Sequence, residues 1–196
     1  MDNAPAKYAN PSIEDQLASL LKRVRQLEDI EDIRRLRATY ASYADGGWPE
    51  HGPTHMGPLA ELFVEDGVWD GRPMIPLADG REEIRRIISE GSRPVRFVMH
   101  YVSNANIHIA EDGKTASGKW HIMAPYIDPD GRSNWLLGTY DEQYVRTTDG
   151  WRFQLLRFVP ARKGVQEGGW TEEWPTVHDF AVAVNCRRSQ GGDATK

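Results

Sequence analysis

One cysteine, Cys186, stands among the 196 residues of this chain. A lone thiol excludes an internal disulfide framework and points to a reducing compartment. The opening MDNAPAKYANPS has neither the basic start nor the apolar core of a secretory signal, so a cytoplasmic location is expected. Apolar runs fall far short of the roughly 20 residues a membrane-spanning helix needs. Basic charge is not in excess: 24 Lys and Arg stand against 29 Asp and Glu, a formal net charge of −5, which argues against nucleic acid as a partner. The basic residues are interleaved with acids, and the run Arg34-Arg35-Leu36-Arg37 reads as a solvated helix face. No G-x-G-x-x-G, P-loop or G-x-S-x-G occurs, so nucleotide cofactors and a serine nucleophile have no support. His51 and His55 form His-x3-His in a Gly/Pro loop, with no Cys or acid at ligand spacing, and a metal site is discounted. The expectation is one domain with no cofactor, no metal, no nucleic acid and no membrane.

Aromatic side chains are abundant instead, with seven Trp and seven Tyr. Most are expected in the core. Large, rigid rings also suit a pocket for a flat, hydrophobic or aromatic ligand.

Residues 1–11 are expected to be flexible. Ser12 with Asp15 resembles a helix N-cap. From Ile13 the apolar residues fall at Leu17, Leu20, Leu21, Val24, Leu27, Ile30, Ile33, Leu36, Tyr40 and Tyr43, and their steps of three and four describe one helical stripe. Its length predicts a break near Glu28–Asp29, giving an N-terminal arm over 12–27 and a first core helix that Asp45-Gly46-Gly47 ends. A Gly/Pro/His loop, a short helix over Leu59–Phe63, a brief strand to Trp69 and a helix over Arg81–Ser89 follow. Four strand-like stretches come next: Arg96–Ile109, Thr115–Ile127, Ser133–Thr147 and Trp151–Pro160. Turn signals such as Asp128-Pro129-Asp130-Gly131 separate them. The main domain is therefore 28–163, followed by a tail over 164–185 that packs on the domain or a neighbouring subunit. Residues 186–196 are expected to be disordered. Helices first and a meander afterwards give an α+β fold, a cone in which a curved antiparallel sheet packs against N-terminal helices.

Three residues in that arrangement point at chemistry. Asp45 closes the helix, Tyr40 lies five positions before it, and His100 falls inside a hydrophobic strand. A carboxylate beside an imidazole fixes its tautomer and supports its protonated form. Alternation places Arg157 on one strand face with Trp151, Phe153, Leu155 and Val159, a cation in an apolar row that can stabilise a developing oxyanion or pair with a carboxylate such as Asp141. Tyr43, Trp48, Trp69, Tyr101, His121 and Met123 are candidate substrate-binding residues. Trp135, Leu137 and Phe158 are candidates for an outer apolar patch.

The set Tyr40-x4-Asp45, Leu62-Phe63-x2-Asp66-Gly67-x-Trp69, Gly80-Arg81-x2-Ile84 and a strand with His100 resembles the SnoaL-like branch of the NTF2-like superfamily, over about residues 28 to 160. The resemblance implies the cone fold and, from its dehydratase and dehydrochlorinase members, a strand His base (His100) oriented by an Asp (Asp45). It further implies a Tyr as in the bile acid dehydratase (Tyr40) and an Arg on the last strand (Arg157). The second acid of the dehydratase has no match; His121 or Met123 stands nearby. The implied activity is a cofactor-independent lyase that eliminates water, or a small fragment such as formaldehyde, from a hydroxylated aromatic or polycyclic substrate. An isomerase or cyclase and a non-catalytic binding domain are the family's alternatives. A homo-oligomer, a trimer by the same resemblance, is expected.

Overall fold

Ser12 starts the first helix by a reciprocal cap. Its hydroxyl accepts the Asp15 N–H at 3.1 Å and the Asp15 carboxylate accepts the Ser12 N–H at 3.2 Å, which satisfies two of the donors every helix N-terminus leaves free. The computed structural model of the protein describes residues 12–48, 52, 56–90 and 95–170. Expectations for residues 1–11, His51, His55 and residues 171–196, including Cys186, lie outside the described residues.

Helix α1 runs without interruption over Ile13–Ala44. The break expected at Glu28–Asp29 does not occur, because tertiary contacts hold that turn helical. Asp29 is buried, and its Oδ1 accepts from the Trp151 indole at 3.3 Å and pairs with Arg146. Beyond Asp29 the helix buries Ile33, Leu36, Tyr40 and Ala44.

A 3-10 turn (Gly57–Leu62) leads into β1 (Phe63–Asp70), β2 (Leu77–Asp79) and α2 (Arg81–Glu90). The rest is sheet: β3 (Phe97–Val98), β4 (Tyr101–Ile109), β5 (Thr115–Ile127), β6 (Ser133–Thr147) and β7 (Gly150–Val165). The strand order is β2-β1-β7-β6-β5, with β3 and β4 sharing the far edge of β5. The sheet is antiparallel as expected in every pairing but one: β1 lies parallel to β7, Phe63 beside Phe153 and Trp69 beside Leu156. One face of β5 (Ala116, Trp120, Ile122, Ala124, Tyr126) meets the core with Leu59, Phe63, Trp69, Ile84, Tyr144 and Phe153.

A bulge in β7 decides which side chains face in. Gln143 is opposite Leu155 and Tyr144 opposite Phe153, so Gln154 is one residue too many. An extra residue inverts the alternation beyond it. Trp151 and Phe153 are buried before the bulge, and Leu156 and Phe158 after it. Two expectations fall with that phase change. Arg157 turns outward, and Phe158, expected on the outer patch, belongs to the core. Of the other two patch residues, Leu137 is exposed. Trp135 is partly covered by Trp170, their ring centres 5.0 Å apart, and bonds to Gln166 Oε1 at 3.0 Å.

No helix among the described residues is long and apolar enough to cross a membrane. No group of three or more His, Cys, Asp or Glu among them is placed to hold a metal ion.

Candidate active site

The end of α1 is fastened to the sheet by backbone. Gly46 and Val98 exchange N–H···O bonds of 3.1 and 2.9 Å. Gly47 follows at φ +95, and a Cβ there would stand 1.9 Å from the Arg96 carbonyl oxygen, so only glycine allows this approach. The consequence is local: Asp45, the residue that caps α1, is delivered to the chain just beyond β3.

His100 waits there, and it is not inside a strand. β3 ends at Val98 and β4 begins at Tyr101. In that gap the His100 backbone N–H donates to Asp45 Oδ1 at 2.8 Å, and His100 Nδ1 lies 2.6 Å from the same oxygen. A carboxylate only accepts, so the ring nitrogen facing it carries the proton and Nε2 keeps the lone pair. Two bonds to one oxygen fix both the place and the tautomer of the ring. Both side chains remain about 15% accessible, 15% for His100 and 14% for Asp45.

They open on a cavity of about 400 Å³ between α1 and the sheet edge, walled by Ala38, Ala41, Ser42, Val102 and Trp120, with Arg34 and Arg37 beside them. A larger open groove, about 930 Å³, runs between the first half of α1 and the β4–β5 turn. It lacks an acid–imidazole pair, so the smaller cavity is the candidate site.

Beneath the cavity lies a second charged pair that the sequence reading missed. Arg37, expected on a solvated face, is buried, with its Nε 3.2 Å from Glu142 Oε1 and side-chain exposures of 2% and 0%. Its guanidinium sits over the rings of Tyr140 and Tyr40, at 4.1 and 4.6 Å. Glu142 also accepts from the Tyr144 hydroxyl, which in turn accepts the Trp120 indole N–H at 3.0 Å. Burial raises the Glu142 pKa against the pull of Arg37. Burial works against the charge of Arg37, but Glu142 and the surrounding tyrosines outweigh it and raise its pKa. The signal was present as period: Arg37 is four residues after Ile33, and Glu142 alternates with Tyr140 and Tyr144.

The other expected site residues scatter. Five residues turn a helix by roughly 140°, so Tyr40 points into the core while Asp45 faces the cavity. Tyr40 is 4% exposed, its hydroxyl accepts the Trp69 indole N–H at 3.0 Å, and burial above all raises its pKa. Trp69 is thereby core and not a cavity wall. Tyr43 is half-buried against the core, and Trp48 packs edge-on against Phe97 at 5.9 Å. Tyr101 is exposed on β4. His121 and Met123 lie on the outer face of β5, because Trp120 and Ile122 take the inner one. His121 Nδ1 is 2.9 Å from Asn104 Nδ2. Arg157 meets Asp70 at 3.4 Å, beside a two-pronged Arg72–Asp70 contact of 2.8 and 2.9 Å. Asp141, the carboxylate expected to pair with it, binds Lys119 instead.

A curved sheet closed by helices, with a small cavity where helix and sheet edge meet, defines the fold as an NTF2-like α+β cone. The chain belongs to the SnoaL-like domain family, whose model matches residues 25–157. A candidate scytalone dehydratase from Novosphingobium aromaticivorans DSM 12444 has a similar structure, at 21% identity and TM-score 0.63, over 74% of this chain and 92% of that one. The hexachlorocyclohexane dehydrochlorinase LinA-type3 from Novosphingobium barchaimii LL02 is similar at 15% identity and TM-score 0.64, over 77% and 99%. An NTF2-like protein with a cystatin-like fold from Novosphingobium aromaticivorans gives 23% and 0.55, over 89% and 98%. At these identities the likeness is one of fold. No curated protein matches the sequence.

Proposed function

We propose that this protein is a cofactor-independent lyase in which His100, oriented by Asp45, removes a proton from a hydroxylated aromatic or polycyclic substrate, with loss of water or a small fragment such as formaldehyde. The observation that carries this reading is the 2.6 Å contact between His100 Nδ1 and Asp45 Oδ1, which leaves Nε2 as the basic nitrogen. For dehydration, Nε2 takes a carbon-bound proton, the electrons form the double bond, and the C–O bond breaks. The departing hydroxide recovers that proton from the imidazolium, which Asp45 stabilises in the interval. One group thus serves first as base and then as acid. For fragment loss from a diol, the same nitrogen takes a hydroxyl proton, and the oxygen's electrons form the aldehyde C=O as the C–C bond breaks. The electron pair of that bond forms a C=C bond by expelling hydroxide from the neighbouring carbon, which leaves as water with the imidazolium proton. The apolar walls and the Trp120 ring suit a flat substrate, and the names of the dehydratase and dehydrochlorinase relatives favour elimination over isomerisation.

A positioned general base contributes roughly 10²–10⁴-fold to a rate. Turnover of a panel of aromatic diols and alcohols, followed by product absorbance and aldehyde release, is expected to fall by about that factor in His100→Ala and, from the wrong tautomer, in Asp45→Asn. Full turnover in both variants, with circular dichroism unchanged, would defeat the proposal.

A further inference from the structure

Helix α1 carries two apolar stripes on opposite sides. In its second half Ile33, Leu36, Tyr40 and Ala44 face the core. In its first half Ile13, Leu17, Leu20, Val24 and Leu27 are 49% to 83% exposed. The reversal is geometric. A helix turns roughly 100° per residue, so each step of three sets the stripe back by about 60°. Leu27, Ile30, Ile33 and Leu36 are three such steps in succession, which together carry the stripe half-way round the axis. The first stripe therefore points away from the protein's own sheet. What the arm turns toward the β4–β5 turn, across the open groove, is a mostly polar side, Lys22, Arg25, Gln26, Glu28 and Asp29, with Ala18 and Leu21 among them.

The spacing of the outward stripe is specific. Ile13, Leu17, Leu20, Val24 and Leu27 alternate steps of four and three, the heptad repeat of a coiled coil, with Leu17 and Val24 at a positions and Ile13, Leu20 and Leu27 at d. In the heptad nearest the domain, Val24 at a with Leu20 and Leu27 at d is the pattern that, in parallel coils, favours two strands. The flanking charges agree with that orientation. Arg23 falls at g and Glu28 at the next e, both exposed, so a parallel partner sets Arg23 against the partner's Glu28 twice over.

We propose that this arm is an assembly surface whose occupant is the same arm of a second copy of the chain, the two forming a short parallel coiled coil. So short a coil is weak alone. Here it extends a helix already held at Asp29 by Trp151 and Arg146, so its ordering cost is largely met by the domain. The inference does not depend on the proposed reaction.

The test is the solution mass of the full chain by light scattering at micromolar concentration. The expected result is an even multiple of 22.2 kDa, halved by Leu20→Glu with Leu27→Glu. Arg23→Glu is expected to weaken association, and adding Glu28→Arg on the same chain to restore it. Leu27→Cys in a Cys186→Ser background is expected to cross-link to dimer on mild oxidation, because a residue at one end of the stripe meets its own copy only in a parallel pair. An odd multiple of the chain mass, including the monomer that results if residues 171–196 cover the stripe, would overturn the proposal. So would a mass that Leu20→Glu with Leu27→Glu leaves unchanged.

Discussion

Two acid–base pairs, Asp45 with His100 and Glu142 with Arg37, hang from the last turns of α1, and they differ in depth. Asp45 stands just past the helix end, where Gly46 and Gly47 turn the chain, and its bond to His100 keeps one edge on the cavity. Arg37 stands two turns earlier, inside the helix, and its ion pair with Glu142 is sealed by the Tyr40 and Tyr140 rings. No guanidinium nitrogen of Arg37 finds a well-aligned hydrogen-bond acceptor among the described residues. The accessible pair can exchange a proton with a bound molecule. The sealed pair, with Arg37 at the cavity's edge, is buried almost completely. Depth within one helix separates an accessible group from a sealed one.

The sealed pair offers the largest effect. Glu142→Ala leaves a buried guanidinium without its counter-charge, a change that typically costs about 3–5 kcal/mol. Urea denaturation is expected to show a loss of that size, and Arg37→Met combined with Glu142→Leu to recover most of it. Asp45→Asn is expected to move the urea midpoint far less, by about 1 kcal/mol, although it is the variant expected to lose turnover. The reverse pattern, catalysis lost in the Arg37→Met, Glu142→Leu double variant and kept in Asp45→Asn, would exchange the two roles.

Tyr40→Phe tests the border between the pairs. It removes the oxygen that accepts the Trp69 indole N–H and leaves that buried donor unpaired, so a loss of about 1–3 kcal/mol is expected, with turnover little changed. A tenfold fall in turnover at unchanged stability would bring the phenol back into the chemistry.

The smallest effect is set by acid and lies outside both pairs. The two-pronged hydrogen bond from Arg72, against the cost of burial and with Arg157 assisting, lowers the pKa of Asp70 from its ordinary 3.8 to about 2. A depressed carboxyl pKa stabilises the fold fully above the unfolded value, and that contribution is lost as pH falls toward the folded one. Melting temperature is therefore expected to drop between about pH 4 and pH 2 by more in the native protein than in Asp70→Asn.

Local signals made much of this legible. The Ser12 cap, the stop at Asp45-Gly46-Gly47 and the strands over Thr115–Ile127 and Ser133–Thr147 each rest on residues a few positions apart. Asp45 and His100 were readable as candidates because a carboxylate at a helix end and an imidazole within the apolar stretch Phe97-Val98-Met99-His100-Tyr101-Val102 both stand out, although the chain breaks at His100 where a strand was expected. What stayed hidden depends on distant partners. Arg157 was misplaced because the Gln154 bulge exists only in the pairing with β6, and Arg37 was misread because its counter-charge lies far along the chain on β6. The parallel pairing of β1 with β7, likewise, has no trace in either strand.

That last pairing has a consequence for the order in which the chain assembles. α1 and the β5–β6 hairpin join near neighbours in sequence and can form early, since closing a short loop costs little entropy. β1 can pair early with β2 on one edge, but its other edge must wait, with Phe63 and Trp69 lacking their Phe153 and Leu156 neighbours, until β7 has been made. A chain released from the ribosome short of Phe153 lacks the strand that covers them. The vulnerable interval in the life of this protein thus falls late in synthesis, and a chaperone that binds nascent aromatic segments would be expected to hold it at β1.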